Sequence, residues 1–228
     1  MNYVYSYKER RILRLKIFIG ICIFLAIAIL TTLVLRFVIY PVNVRSDSMM
    51  PEISNRSLVL VSPLIPVKRG DIVLVESQKT TDMGFFKSLI SNFVSFVTFQ
   101  QVILFQDNGL FTENDTVRRV VGLPGDTVYV KNYVVYVKPA NSSHFLTEFE
   151  LTSKSYDITT NDIPENWQGN IGALGNTGEI VLGENEYFVL CDSRNSGIDS
   201  RIWGSVTKDR VKGRAFFQYF PFSLFGGM

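Results

Sequence analysis

The chain has 228 residues, 46% of them hydrophobic, and a formal net charge of +2. That charge is too small for a nucleic-acid binder, and the length allows a membrane anchor plus one compact domain of about 150–190 residues. His144 is the only histidine, and Cys22 and Cys191 are the only cysteines, so the sequence holds no His/Cys cluster for a metal and implies no cofactor.

The first element is an apolar run. From Ile17 to Leu35 there is no charge. At about 1.5 Å per residue the run covers roughly 28 Å, enough for a bilayer core. Lys8, Arg10, Arg11, Arg14 and Lys16 precede it against one acid, Glu9. This flank predicts an N-terminus kept in the cytoplasm and a following domain carried across. A cleaved signal peptide is the competing reading. The run is longer than an h-region, and its small-x-small pattern, Ala26-Ile27-Ala28, lies mid-run. The expected organisation is a basic cytoplasmic tail at 1–16, an anchor at 17–40 and an extracytoplasmic domain at 41–228. Cys22 in the anchor cannot meet Cys191 in the domain, so no internal disulfide is expected.

Beyond Pro41 short apolar stretches alternate with Gly, Pro, Asp and Asn. This pattern predicts strands at 57–61, 71–76, 117–121, 127–131, 133–138, 187–190 and 213–219. Lys131-Asn132-Tyr133 reads as a tight hairpin turn between two Val/Tyr-rich strands. The segment 85–105 differs. Phe86, Leu89, Ile90, Phe93, Val94 and Val97 recur at helical spacing, with Ser and Asn between them. A second span, a helix in the membrane interface and a buried core helix are all open for it; the Ser/Asn/Gln content fits the last two better. The polar stretch 141–176 reads as an inserted cap or long loop. Asn141-Ser142-Ser143 matches a glycosylation pattern by letter only.

The chemistry-bearing residues fall in four blocks. The first is Val44-Arg45-Ser46-Asp47-Ser48-Met49-Met50-Pro51, just past the anchor. A Ser-x-Ser pair alone is usually no more than a turn. The second is Lys68-Arg69-Gly70-Asp71-Ile72-Val73, a turn into a strand. The third is Arg118-Arg119-Val120-Val121-Gly122-Leu123-Pro124-Gly125-Asp126. The fourth runs from Cys191-Asp192-Ser193-Arg194 to Asp199-Ser200-Arg201-Ile202-Trp203-Gly204. In this order, after an anchor, the blocks resemble the bacterial type I signal peptidases, a serine–lysine peptidase family. The resemblance covers the anchor and most of the domain but leaves out 85–105 and 141–176.

The resemblance implies a mainly β fold: a signal-peptidase-like β domain on an N-terminal single-pass transmembrane helix. It implies Ser48 as nucleophile and Ser46 as an oxyanion-hole donor. A donor of this kind is worth about 10²–10³ in rate. Asp192, Arg194, Asp199 and Arg201 match acidic and basic positions that tie strands together around the site. The implied setting is the bacterial cytoplasmic membrane. The implied partners are membrane lipid, exported preproteins with signal peptides, and in one reading a protein partner; nucleic acid is not among them.

Two positions depart from the family pattern. The family's general base is a lysine, and its place is taken by Arg118. A buried lysine can lose its proton and then accept one from serine, whereas a guanidinium stays charged and only donates. The serine that commonly bonds that lysine is replaced by Gly197, with Ser196 one place earlier. The block also opens on Cys191 where glycine is usual; a buried structural thiol is expected there. His144 and Lys131 are substitute bases only if the fold carries them to Ser48. Arg118 is suited instead to hold a peptide carbonyl, an oxyanion or a carboxylate such as Asp199. Two functions follow: a membrane-bound serine endopeptidase that removes signal peptides, or a catalytically impaired homologue that binds signal peptides or acts as a scaffold.

Overall fold

The computed structural model describes residues 7–76, 116–160, 175–195, 197–221 and 226–227. The segment 85–105 and Ser196 lie outside them. The fold is mainly β, with one long N-terminal helix. That helix, α1, spans Tyr7–Phe37. It is longer than the apolar run because the basic flank continues the same helix. Its large side chains, such as Ile17, Phe24, Leu30 and Leu33, are exposed. It is long and apolar enough to cross a membrane.

All seven expected strands are present. They are β2 (Leu58–Ser62), β3 (Ile72–Val75), β4 (Thr116–Gly122), β5 (Thr127–Lys131), β6 (Val134–Lys138), β9 (Glu186–Leu190) and β11 (Val211–Phe220). Five shorter strands join them: β1 (Tyr40–Asn43), β7 (Leu146–Thr147), β8 (Ile180–Val181), β10 (Val206–Thr207) and β12 (Gly226–Gly227). The larger sheet runs β1-β2-β11-β3-β4-β9-β10, with β12 beside β11, and the smaller one runs β7-β6-β5-β8. Valines supply most of the interior: Val42, Val59 and Val61 pack with Met49 and Ile53 in one cluster, and Val128, Val130, Val135 and Val137 with Phe188 in another.

The β5–β6 turn is a two-residue hairpin. Lys131 pairs with Val134, and Asn132 and Tyr133 both have positive φ, 49° and 66°. This is the handedness that a tight hairpin needs, although glycine usually supplies it. Tyr133 is buried and its carbonyl accepts from Arg194 Nη1 at 2.9 Å, so tertiary contacts hold the turn.

β4 positions two arginines. Side chains alternate along a strand, so Arg118 and Arg119 leave opposite faces. Arg118 pairs across β3 with Val73, while Arg119 lies between Ile72 and Leu190. The turns flanking this strand are tied together. Arg69 Nη2 donates to Asp126 Oδ2 at 2.8 Å, and the same oxygen accepts from Leu123 N at 2.7 Å. The Lys68–Asp71 turn and the Leu123–Asp126 turn are thereby joined.

Candidate active site

Ser48 is placed by the chain leaving β1. Val44 N donates to Ser57 O at 2.8 Å and Arg56 N to Val44 O at 2.7 Å, so pairing with the β2 side continues past the strand. The chain then folds into a one-turn 3-10 helix, Asp47–Met49, entered from an extended Ser46. Met49 is fully buried in the core and anchors the turn. Ser193 N donates to Ser48 O at 3.0 Å from the other side. Ser48 is buried and Ser46 exposed, and their hydroxyl oxygens are 2.7 Å apart.

Arg118 closes on this pair from β4. Its Nη1 donates to Ser48 Oγ at 3.0 Å and to Val117 O at 2.6 Å. Its Nε and Nη2 both donate to Ile198 O, at 3.1 and 2.9 Å. The Trp203 ring lies 5.7 Å from the guanidinium carbon. The structure therefore brings Ser46, Ser48 and Arg118 together. Lys131 and His144 are exposed, and among the described residues neither contacts Ser48.

Gly197 explains part of the departure at Arg118. A Cβ there would lie 2.8 Å from Cys191 Sγ, 3.3 Å from Ser48 Cβ and 3.9 Å from Arg118 Nη2, and its φ is +96°. No ordinary side chain fits that space without displacing its neighbours, and the backbone conformation favours glycine. The two changed positions thus meet at Ser48. Gly197→Ala is expected to lower stability by about 1–3 kcal/mol, from backbone strain and the contact with Cys191. Urea denaturation of the detergent-solubilised protein reads this directly; no shift in midpoint would show that the turn relaxes freely.

The acidic and basic residues of the last block are buried and paired. Arg201 holds Asp199 through Nε at 2.9 Å and Nη2 at 2.7 Å. Cys191 N adds 3.1 Å to Asp199 Oδ2, and Arg201 N adds 3.1 Å to Oδ1. The expectation that Asp199 is available to Arg118 is corrected here: its oxygens are occupied by Arg201 and two backbone amides. Arg119 grips Asp192 with two bonds, at 2.7 and 2.6 Å, and reaches Glu52 at 2.6 Å. Its guanidinium also lies 4.0 Å over the Tyr156 ring. Arg194, fully buried, meets Glu148 at 2.8 and 2.5 Å. Tyr156 donates to Glu148 Oε2 at 2.6 Å.

The matching family model is described as "Signal peptidase, peptidase S26", and it aligns with residues 16–220. The chain belongs to that family. It is similar to Signal peptidase IB of Staphylococcus aureus, at 27% identity over 190 residues, 83% of this chain and 82% of the relative. It is also similar to a probable signal peptidase I-1 of Synechocystis, at 26% identity over 207 residues, 89% of this chain and 82% of that one. A solved signal peptidase I from Enterococcus faecalis aligns at 20% identity over 67% of this chain and 98% of its own, with a TM-score of 0.34. That last value is too low to add to the assignment.

Family membership brings a serine-peptidase type of reaction and signal-peptide-bearing preproteins as its substrate class. Against that background Arg119, part of the third block, gains a role, and two residues stand out that the sequence pattern did not reveal: Glu148 and Tyr156. Glu148 opens the short helix α2 (Glu148–Leu151), inside the stretch read as a polar cap. Thr147 caps that helix in a capping box with Glu150. The Thr-x-x-Glu letters were a usable signal for the helix, but nothing local marks Glu148 as buried. Thr159 N donates to Asp192 O and Arg194 N to Thr159 O, at 3.0 and 2.8 Å. The described part of the cap is therefore bonded to the turn that holds Ser48.

Burial pushes the Cys191 thiol up to about 12, with the Asp199 carboxylate adding to the effect. At neutral pH it is a closed, protonated thiol and no rival nucleophile. Burial alone raises the pKa of Asp199, but the bonds from Arg201 and the backbone amides outweigh it and hold the carboxyl below its ordinary value. A depressed carboxylate stabilises the fold above its unfolded pKa, near 3.9, and loses that contribution as pH falls through the folded value. Stability is therefore expected to drop below about pH 4. In Asp199→Asn the acid-dependent part of the drop should shrink while the whole curve lies lower, as read from denaturation midpoints between neutral and acid pH.

Proposed function

We propose that this chain is a membrane-anchored signal-peptidase homologue that receives the signal-peptide segment of exported preproteins but does not cleave it unaided. The observation that carries this reading is the 3.0 Å bond from Arg118 Nη1 to Ser48 Oγ. Nucleophilic attack requires a neighbour that takes the hydroxyl proton. A guanidinium has no acceptor site and stays charged, so it occupies the serine lone pair without relieving it of the proton. Among the described residues the remaining polar contact of Ser48 Oγ is Ser46 Oγ, itself a hydroxyl. The basic flank before α1 supports an N-terminus in the cytoplasm and a β domain outside it, at the bacterial cytoplasmic membrane. Membrane lipid surrounds the anchor. A protein partner is the natural source of a missing base.

The second reading is an independent serine endopeptidase with Ser48 as nucleophile and Ser46 in the oxyanion hole. It is favoured by the hydrogen-bonded Ser46–Ser48 pair, which a decayed site has no reason to keep. One experiment separates the two. The detergent-solubilised full chain is incubated with an exported precursor carrying a photo-crosslinker near its cleavage position. The expected result is a crosslink without a cleaved product. Cleavage that disappears in Ser48→Ala would overturn the proposal in favour of the peptidase.

A further inference from the structure

Four arginines are deeply buried among the described residues: Arg118, Arg119, Arg194 and Arg201. Three have a carboxylate within ion-pair distance: Asp192 and Glu52 for Arg119, Glu148 for Arg194, Asp199 for Arg201. Arg118 is the exception among the described residues. At 4% exposure it is as buried as the others, yet its N–H groups meet the neutral oxygens of Ile198, Val117 and Ser48. A buried charge without a counter-charge is costly, and natural sites normally supply the partner. In a catalytic lysine the cost is avoided because the amine becomes neutral; arginine has no such escape.

The hydrogen bonds carry this charge toward the open side of the site. Ser48 Oγ accepts from Arg118 Nη1 and shares a 2.7 Å hydrogen bond with Ser46 Oγ in which either hydroxyl can donate; with Ser48 as the donor the series runs outward. Ser46 is exposed, and in that arrangement its hydroxyl hydrogen is available to a bound ligand. The series is a donor chain with a fixed cation at its inner end and a free O–H at its outer end. Such a chain favours an anion over a neutral carbonyl, because only the anion also answers the guanidinium.

We propose that the Ser46–Ser48–Arg118 series is a carboxylate site that holds the C-terminal carboxylate of a peptide ending at the signal-peptide cleavage position. The inference rests on the peptide-holding function proposed above and specifies the ligand held most tightly: a chain already cut, in preference to an intact precursor. An intact precursor presents a neutral peptide carbonyl there and leaves Arg118 uncompensated. No bond is made or broken in this role.

The test uses one fluorescent peptide, the signal segment of an exported precursor ending at the cleavage residue, made as the free acid and as the C-terminal amide. Anisotropy with the detergent-solubilised full chain gives both affinities. The acid is expected to bind at least about tenfold tighter than the amide, the scale of a charge-assisted hydrogen bond. Arg118→Gln should abolish that preference, and Arg118→Lys should retain part of it only below the lowered lysine pKa, where the amine is charged. Equal affinity of acid and amide for the wild type would overturn the carboxylate site while leaving peptide holding intact. Binding of neither peptide would overturn both. A preference that survives in Arg118→Gln would remove Arg118 from the site. The wild-type comparison of acid with amide stands even if a variant fails to fold.

Discussion

Arg118→Lys is expected to create peptidase activity if, as proposed, the wild type does not cleave unaided. A lysine at this position ends near the guanidinium carbon, about one bond short of Nη1. Ser48 Oγ, now 3.0 Å from Nη1, is then within reach of a small side-chain adjustment. The position is 4% exposed, and that burial disfavours an ammonium, lowering a lysine pKa by up to several units. A neutral amine there accepts the Ser48 proton, and general-base assistance is typically worth about 10²–10⁴ in rate. Cleavage of an exported precursor should rise by that order over the wild-type background. It should increase with pH through the lowered lysine pKa, since the working form is the deprotonated one, and vanish in Arg118→Lys/Ser48→Ala. Gly197 is best left unchanged in this experiment, because a serine Cβ there meets Cys191 Sγ at 2.8 Å. An inert Arg118→Lys protein with a wild-type denaturation midpoint would show that the block lies elsewhere than at the base.

Removal of Glu148 is expected to be the most destabilising single change in the domain. Its two carboxylate oxygens accept from Arg194 Nη1 and Nη2, Val135 N and Tyr156 Oη. Arg194 has no exposed surface, so Glu148→Ala strands a buried cation and two further donors. Breaking a buried pair in this way costs about 3–5 kcal/mol. Glu148→Gln keeps an acceptor without the charge and should lose less. Urea denaturation measures both, and a loss below about 1 kcal/mol for Glu148→Ala would mean the pair does not hold the fold. The consequence reaches the candidate active site. Arg194 sits in the turn whose Ser193 N donates to Ser48 O, so Glu148→Ala should also weaken peptide binding.

The larger elements were legible because each carries its own local signal. The helix α1 is written in a charge-free run behind a basic flank, and the seven longer strands in Val- and Tyr-rich stretches between turn residues. The missed strands have no such signal. β1 is Tyr-Pro-Val-Asn, and a proline in so short a run argues against a strand; it is tolerated because β1 lies at the sheet edge beside β2. β7, β8, β10 and β12 are two residues each and exist only as partners of strands already formed.

In the site, residue types were readable and pairings were not. Asp199 and Arg201 are neighbours in sequence and bond locally. Arg119 finds Asp192 across 73 residues, and Arg194 finds Glu148 across 46. No spacing rule links such positions, because in a buried network the partner is decided by which strands lie side by side. By itself the sequence determined an apolar helix, a β domain, a serine pair beside it, and an arginine at the position that the family resemblance gives to a base. The tertiary structure decided what that arginine does. It directed Asp199 to Arg201, packed Gly197 against Ser48, and left Arg118 buried with its donors on Ser48 and on carbonyl oxygens. The physical reason is that charge is a property of a residue, whereas compensation of charge is a property of the space around it.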